Sequence, residues 1–175
     1  MKIKQTVMVD CNFYIGDKNC FASATEVTVP PVKYKKTETS SISSIGTLKL
    51  STGKIEALES KVKLSGFSSE VYEEIADPYS SVDVTVYGDL AVFEGNELTS
   101  HKPAVLYLTC STSEFKPLGD KKEHDNIEQE ITLDVSAFEF QVDGKTLHKV
   151  DVPNNILIVN GKDLRSAINA NLGLN

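Results

Sequence analysis

Residues 131–142 read ITLDVSAFEFQV, and their apolar side chains recur at every second position. The phase of this alternation changes once, near Ser136. The apolar positions before the change are Ile131, Leu133 and Val135, and those after it are Phe138, Phe140 and Val142. Successive side chains of a β-strand point to opposite faces of its sheet. The stretch therefore predicts a long strand with one buried and one solvent-facing side.

The same period of two occurs elsewhere in the chain and predicts further strands. Residues 82–87 (VDVTVY) and 61–65 (KVKLS) alternate in this way. Residues 105–110 are almost continuously apolar, which predicts a strand covered on both faces. Glycines and turn-forming dipeptides separate these segments, namely Gly16–Asp17, Pro30–Pro31, Gly53, Gly88–Asp89, Gly95–Asn96, Asp143–Gly144 and Gly161. The chain is predicted to be mainly antiparallel β.

Two short segments depart from this period and predict helices. The first covers residues 68–76, where Ser68 is a favourable N-cap, and Pro78 ends it because the residue before a proline avoids the helical conformation. The second is predicted over residues 160–173, with Asn160 as its N-cap and a left-handed glycine at its end. Both helices are short and are expected to pack on the sheet.

The segment between residues 32 and 54 fits neither a core strand nor a helix. Residues 34–51 read YKKTETSSISSIGTLKLS, which is mostly serine, threonine and lysine with few aliphatic residues. Loops longer than ~12–15 residues are uncommon in compact domains unless they are functional or disordered. We interpret the segment as a long hairpin arm that becomes ordered against another subunit. A mobile surface loop is the alternative.

The length and composition of the chain favour one soluble domain, residues 1–175, with 40% hydrophobic and 25% charged residues. The formal net charge of −7 argues against tight binding of nucleic acid but is compatible with a surface along which DNA slides. No segment approaches the ~20 apolar residues of a membrane span, so no membrane binding is expected. The charged N-terminal residues lack the apolar run of a signal peptide, which predicts synthesis in a reducing cytoplasm.

No arrangement of residues typical of a catalytic, cofactor or metal site occurs in the sequence. The cysteines and histidines are widely spaced, at Cys11, Cys20, Cys110, His101, His124 and His148. The cysteines lack zinc-site or disulfide-framework spacing and are expected to be buried, reduced thiols. The carboxylates between residues 125 and 134 lack the spacing of a calcium-binding loop and predict a solvated strand face. The sequence thus predicts neither an enzyme nor a cofactor.

Several short motifs follow one another along the chain. In the first half they are residues 12–16 (NFYIG), 26–31 (EVTVPP), 33–38 (KYKKTE), 53–59 (GKIEALE) and 66–67 (GF). In the second half they are residues 127–140 (IEQEITLDVSAFEF), 159–165 (VNGKDLR) and 172–174 (LGL). In this order they resemble the major tail tube protein family of contractile-tailed phages. Residues 40–46 (SSISSIG) depart from the arginine–glycine–small–glycine–methionine stretch that the family often has in its arm.

The resemblance implies an antiparallel β-sandwich or barrel-like fold with two short flanking helices and a hairpin arm at about residues 32–54. It implies hexameric rings that stack into the inner tube of a contractile tail, with neighbouring sheets joined around a channel. The implied partners are further copies of the chain and the tail sheath, baseplate and tape-measure proteins. The implied location is the virion tail, assembled in the host bacterial cytoplasm, with DNA passing through the tube without specific binding.

Two sets of residues are candidates for this function. The candidates for self-assembly through the arm are Lys33, Lys35, Lys36, Thr37, Glu38, Ser41, Ile42, Ile45 and Leu48. The candidates for an acidic channel wall are Glu128, Glu130 and Asp134, which share one strand parity. An acidic wall repels DNA over a screening length of ~8 Å at physiological salt.

Other functions are compatible with parts of this pattern. A tube of an R-type bacteriocin or of a type VI secretion system has the same expected composition. A monomeric β-sandwich that binds carbohydrate or peptide usually displays surface aromatic residues, whereas this chain has no tryptophan and 7% aromatic residues. An enzyme is the least favoured class, because no catalytic motif supports it.

Overall fold

The computed structural model describes residues 3–21, 23–40, 45–121, 123 and 125–174. In chain order, the strands and helices of these residues are β1 (Lys4–Ile15), β2 (Lys18–Asn19), β3 (Ala24–Thr28), β4 (Tyr34–Thr39), β5 (Leu48–Ile55), β6 (Leu58–Ser65), α1 (Ser69–Ile75), β7 (Val82–Glu94), β8 (Glu97–Phe115), β9 (Asp120–Lys121), β10 (Ile127–Val142), β11 (Lys145–Asp151), β12 (Ile156–Val159), β13 (Lys162–Asp163) and α2 (Ser166–Asn171). The strand pairs are antiparallel. The predicted mainly antiparallel β fold with two short helices is therefore confirmed.

Strand β10 lies at the centre of the sheet and contains the alternating stretch that predicts it. One of its edges pairs with β8. The other edge pairs with β6 over residues 128–135 and with β11 over residues 137–142. A β-bulge at Ser136 separates these two halves, and the Ser136 hydroxyl donates a hydrogen bond to the Thr109 carbonyl at 3.0 Å. The predicted change of phase is this bulge, which bends β10 between the part that pairs with β6 and the part that pairs with β11.

Within the described residues, eleven strands form one branched sheet. Its main path has the order β13-β12-β11-β10-β8-β7-β1-β2, while β6 and β9 also pair with β10, and β3 pairs with β6. The link from β2 to β3 crosses from one end of the sheet to this branch, and the Cys20 amide on it donates to the Phe13 carbonyl. The sheet thus wraps around one core, but its described strands do not close into a barrel.

The core is formed by the apolar side of the alternating strands and is closed at one end by α1. Its most buried members include Ile15, Val62, Ile75, Val84, Ile131 and Leu133. The Ser68 hydroxyl accepts the Val71 amide at 3.4 Å, which confirms the predicted N-cap of α1. This cap places Val71 and Ile75 of the helix against the sheet, where both are buried.

The predicted start of the second helix is wrong. Asn160 and Gly161 have positive φ angles, of 50° and 79°, and form the turn that joins β12 to β13. Helix α2 begins only at Ser166. The Asp163 carboxylate accepts hydrogen bonds from the amides of Arg165 and Ser166 at this start. An Asn-Gly pair favours a two-residue hairpin turn more strongly than a helix start, and here the hairpin forms.

Four further predictions from local sequence are also wrong. Gly88 is not in a turn but inside β7, where the missing side chain leaves room for the Met8 side chain. Gly53 lies inside β5 with φ of 68°, so it distorts a strand instead of ending it. Residues 105–110 are covered on one face only, because the Tyr107 side chain between two buried leucines is 41% exposed. Cys11 is an exposed thiol, while Cys20 and Cys110 are buried as expected.

Candidate assembly surfaces

Strand β1 has a long hydrogen-bonding edge without a partner strand among the described residues. Its other edge pairs with β7, and β2 covers it only at Tyr14 and Ile15. The Gly95 amide donates to the Ile3 carbonyl at 2.9 Å, so Ile3 belongs to a hydrogen-bonded pair with β7. Such pairs alternate with pairs whose amides point away from the neighbouring strand. The amide of Thr6, three positions along from Ile3, therefore points to the open edge.

Strand β8 has a second open edge, on the opposite side of the three neighbouring strands β1, β7 and β8. Its residues 97–102 pair with β7. On their other side, β10 begins to pair with β8 only at Ala104, and the Asp143 amide ends this contact on the Pro103 carbonyl at 2.8 Å. Residues 4–10, 88–94 and 97–102 thus form a three-stranded extension that, among the described residues, is open on both sides. Open edges of this length are sites at which another chain can add a strand.

Apolar side chains at the surface accompany the open edges. The exposed apolar residues of the extension are Val7, Met8, Val9 and Leu98, and Ile3 directly precedes it. Val7 and Met8 are consecutive in β1, so the exposed apolar residues are divided between the two faces of the extension. Singly exposed apolar residues are ordinary at a protein surface, so the indication of an intermolecular contact comes from the open edges.

The face of β1, β7 and β8 that points away from the core is polar and acidic, and we call it the polar face. Its polar members by strand register are Asp10, Asn12, Tyr14, Asp83, Thr85, Tyr87, Asp89, Tyr107 and Thr109, and the apolar Val105 lies on it opposite Tyr87. The Asp89 carboxylate lies 2.6 Å from the His101 imidazole. Asp134 of β10 lies opposite Ser111 and extends this acidic surface. Burial, and then the negative charges of Asp83 and Asp134, raise the pKa of the Cys110 thiol to about 12.

Strands β4 and β5 form a two-stranded sheet that is separate from the main sheet, and we call this hairpin the arm. Each residue of β4 is exposed. The arm joins the body through the Glu56 amide, which donates to the Lys33 carbonyl at 2.9 Å, and through a 3.5 Å contact between Tyr34 Oη and His148 Nε2. Two-stranded hairpins are marginally stable alone. The two strands of the arm alone are therefore expected to contribute little to the stability of the fold.

The arm is amphipathic. Thr37 lies opposite Leu50, and Thr39 lies opposite Leu48, so these four residues share one face. The opposite face carries Glu38 and Lys49, which form an ion pair of 3.0 Å. Leu48 and Leu50 are 59% and 46% exposed. One face of the arm thus presents an apolar strip with no cover within the described residues.

One family of known proteins matches most of the chain. The sequence profile of the phage tail tube protein FII family matches residues 5–173. The chain belongs to this family. Among curated proteins, no sequence matches the chain significantly.

Two solved structures have a similar fold. A chain of the extracellular contractile injection system PVC, from its sheath–tube complex in the extended state, superposes with a TM-score of 0.53 at 17% identity and covers 75% of this chain and 87% of its own. A chain from the sheath/tube terminator of PVC, also in the extended state, gives a TM-score of 0.55 at 17% identity, with coverages of 76% and 94%. At this level of identity the similarity shows the shared fold.

As a member of the phage tail tube family, the chain is a structural subunit of a tail tube. The family is one of structural tube proteins. No cluster of three or more histidine, cysteine, aspartate or glutamate side chains suited to a metal ion occurs in the described ranges. The two described helices are too short to cross a membrane.

The predicted arm residues of the tail tube protein lie on the hairpin or next to it. Lys35, Lys36, Thr37 and Glu38 are on β4, Lys33 precedes it, Leu48 begins β5, and Ile45 lies in the connection. Ser41 and Ile42 lie outside the described residues. The role of all the predicted arm residues in self-assembly stays a prediction.

The three predicted acidic residues differ in their surroundings. Glu128 and Asp134 are exposed, whereas Glu130 lies 3.7 Å from the Lys61 ammonium group. On the neighbouring strand, Lys63 pairs with Glu26 at 2.7 Å. The surface around Glu130 is therefore mixed in charge, and Asp134 is the candidate that adjoins the acidic polar face.

Sequence reasoning missed the two open edges and the aspartates of the polar face. The signal for Asp83 was present, since it alternates with buried valines in the stretch VDVTVY. The signal for the edges was absent, because no local pattern tells which strand lies beside which.

A pH-dependent prediction concerns Glu139 in β10. Hydrogen bonds from Lys149 at 2.8 Å, and from Gln141 and Thr146, lower the pKa of its carboxyl group from 4.5 to about 2. A lowered folded-state pKa stabilises the fold above the unfolded pKa and loses this effect as the pH falls through the folded value. Glu139→Gln is expected to lower the free energy of unfolding at pH 7 by about 1–2 kcal/mol.

Urea unfolding of the wild-type and Glu139→Gln proteins at several pH values tests this prediction. The difference between them should shrink as the pH falls from 4.5 towards 2. A difference that is the same at pH 7 and pH 2 would show that the ionised carboxylate is not its source.

Proposed function

We propose that copies of this tail tube protein associate head to tail, with the open edge of β1 in one copy pairing with the open edge of β8 in the next. The observation that carries the proposal is the three-stranded extension, open on both sides among the described residues. Two different complementary edges make a heterologous contact, which closes into a ring when the rotation between copies divides a full turn. A closed ring of sheets leaves no edge exposed. Six copies per ring are expected from the family resemblance.

The polar face of β1, β7 and β8 lines the channel of this ring in our proposal. Asp10, Asp83, Asp89 and Asp134 make this face acidic. Because DNA carries one negative charge per ~1.7 Å of its axis, a basic wall would hold it and an acidic wall lets it pass. Glu128 and Glu130 lie further along the same strand as Asp134 and belong to the rim of the channel in this arrangement.

Rings stack into the inner tube of a contractile tail through the arm, whose apolar strip is covered by the next ring. The partners along the tube are then the tail sheath, the baseplate and the tape-measure protein, and the assembled particle is a virion that ejects its genome through the tube. Support comes from the family membership and from the shared fold of chains in a sheath–tube complex. The subunit is made and assembled in the cytoplasm of the host.

Sedimentation and negative-stain microscopy of the purified protein test the proposal. Rings or tubes of uniform bore are expected at high protein concentration, because each copy carries both complementary edges. A stable monomer under these conditions would overturn it. In particles that carry Asp83→Lys and Asp89→Lys, tubes are expected to form while DNA release slows; unchanged release would remove these residues from the channel wall.

A further inference from the structure

The base of the arm carries a cluster of lysines that is unusual in a chain with a net charge of −7. Lys33, Lys35, Lys36 and Lys54 are all exposed. None of them forms an ion pair with a carboxylate in the described part of the chain. The arm carboxylate Glu38 is paired with Lys49, and Glu56, whose amide donates to the Lys33 carbonyl, is the one carboxylate-bearing residue that adjoins the four lysines in the described part of the arm base. The cluster is therefore a local positive surface on an acidic protein.

A cleft of about 260 Å³ opens in this surface between β5 and the β11–β12 hairpin. Lys35, Lys54 and Arg165 line it, together with Asp151. The Asp151 carboxylate is occupied, since it accepts the backbone and side-chain nitrogens of Asn154 at 3.0 and 2.8 Å. The Arg165 guanidinium donates to the neutral Asn155 side chain at 2.7 Å and keeps its charge. Three cationic side chains thus line one cleft that has a single carboxylate of its own, and the remaining positive charge suits a carboxylate from outside. We call this surface the basic cleft.

A complementary surface lies on and around α1. Glu70, Glu73 and Glu74 are on the helix, Asp77 follows it, and Asp17 is in the adjacent turn between β1 and β2. Lys18 lies beside them, but its ammonium group is 2.8 Å from the Asp17 carboxylate. Five carboxylates therefore face one lysine here, and we call this surface the acidic end.

The basic cleft and the acidic end lie near opposite ends of β10. Glu128 pairs with Ser65, just before α1, whereas Phe140 pairs with His148, which contacts Tyr34 at the arm base. The intervening strand length is roughly 40 Å at ~3.3 Å per residue. The two surfaces of one copy are therefore too far apart to meet, and each needs a second molecule.

We propose that the basic cleft of one copy receives the acidic end of a second copy in the next ring. This inference rests on the proposed tube function and adds the contact that sets how successive rings dock. Barrel strands are tilted by ~35–45° from the barrel axis, so the two ends of β10 lie at different heights along the tube. Opposite charges at the top and bottom of each ring attract successive rings and repel a ring that is inverted. The contact is weakened by salt, because both surfaces are exposed.

Reciprocal charge reversal tests the proposal. The variants are Lys35→Glu with Lys54→Glu, Glu70→Lys with Glu73→Lys, and the combination of all four substitutions. Each pair is expected to reduce the sedimenting tube fraction at least about tenfold at low salt while leaving single rings, because like charges then meet across the ring interface. The combined variant is expected to recover tubes. Tubes are counted by microscopy at ~50 mM and ~500 mM salt.

The control is Lys145→Glu with Lys162→Glu, which makes the same change in net charge on exposed lysines outside the basic cleft. It should assemble like the wild type. The proposal is overturned if the paired variants stack normally, even if they have lost sheath binding. It is also overturned if the combined variant stacks no better than either pair. Circular dichroism checks folding, and Lys→Gln or Glu→Gln versions at the same positions replace any pair that misfolds.

The two proposals fail in different ways. Wild-type protein that forms neither rings nor tubes overturns the proposed tube function and this contact with it. Wild-type tubes together with unimpaired paired variants overturn the contact alone.

Discussion

A chain that lacks residues 36–48 is expected to fold normally and to form rings that do not stack into tubes. Those of the removed residues that the structure describes lie in a separate two-stranded sheet or in its connection, and none of these described residues is a member of the buried core. Removal should change the free energy of unfolding by less than ~1 kcal/mol, which corresponds to a shift in Tm of about 2–4 °C. Stacking should fail because the apolar strip of the arm is lost. Differential scanning calorimetry and microscopy measure the two outcomes.

A matched pair of full-length variants separates the two faces of the arm. Leu48→Ser with Leu50→Ser keeps the hairpin length but removes the apolar strip, and it should reproduce the stacking defect. Glu38→Gln with Lys49→Gln removes the ion pair on the other face, which is worth ~0–1 kcal/mol as an exposed pair, and it should stack normally. Normal tubes from the deletion variant would exclude the arm from ring stacking.

The strands were predictable where the alternation of side chains is governed by burial. Val84 and Leu133 are fully buried, and their positions follow from a period of two that any half-buried strand must keep. Even the bulge at Ser136 left a visible signal, since an extra residue reverses the parity of the positions after it. Both features depend on residues that are neighbours in the chain, so the sequence alone is sufficient to predict them.

Predictions failed where two local rules favour different structures, or where contacts with distant segments determine the structure. Asn160–Gly161 satisfies both a helix start and a hairpin turn, and the pairing of Ile158 with Asp163 selects the turn. The dipeptide Gly88–Asp89 is typical of a turn, but Gly88 lies in a strand, where Met8 from β1 packs against it. The charge of the surface near Glu130 likewise depends on Lys61 of another strand. Such outcomes follow from tertiary contacts, which a single stretch of sequence does not specify.

Thr6→Pro is expected to yield a folded monomer that forms no rings. The Thr6 amide points to the open edge of β1, so proline removes no hydrogen bond within the chain, and proline is tolerated on such edges. In the ring, the same substitution removes one hydrogen bond per interface and places the proline ring between the paired strands. A loss of ~1 kcal/mol at each of about six interfaces sums to roughly 6 kcal/mol, or about four orders of magnitude in the assembly equilibrium.

Thr6→Val is the matched control, because valine keeps the amide and the β-branched shape and should form rings like the wild type. Gln5→Pro should instead unfold part of the sheet, because the Gln5 amide belongs to the ladder with β7. Sedimentation velocity gives the oligomeric state of each variant, and circular dichroism gives its fold. Rings from Thr6→Pro would mean that copies do not join through this edge. If Thr6→Pro is a monomer and Thr6→Val forms rings, the ring contact lies on the backbone of β1. The reason is that proline and valine side chains differ little in bulk, whereas only proline lacks the amide donor.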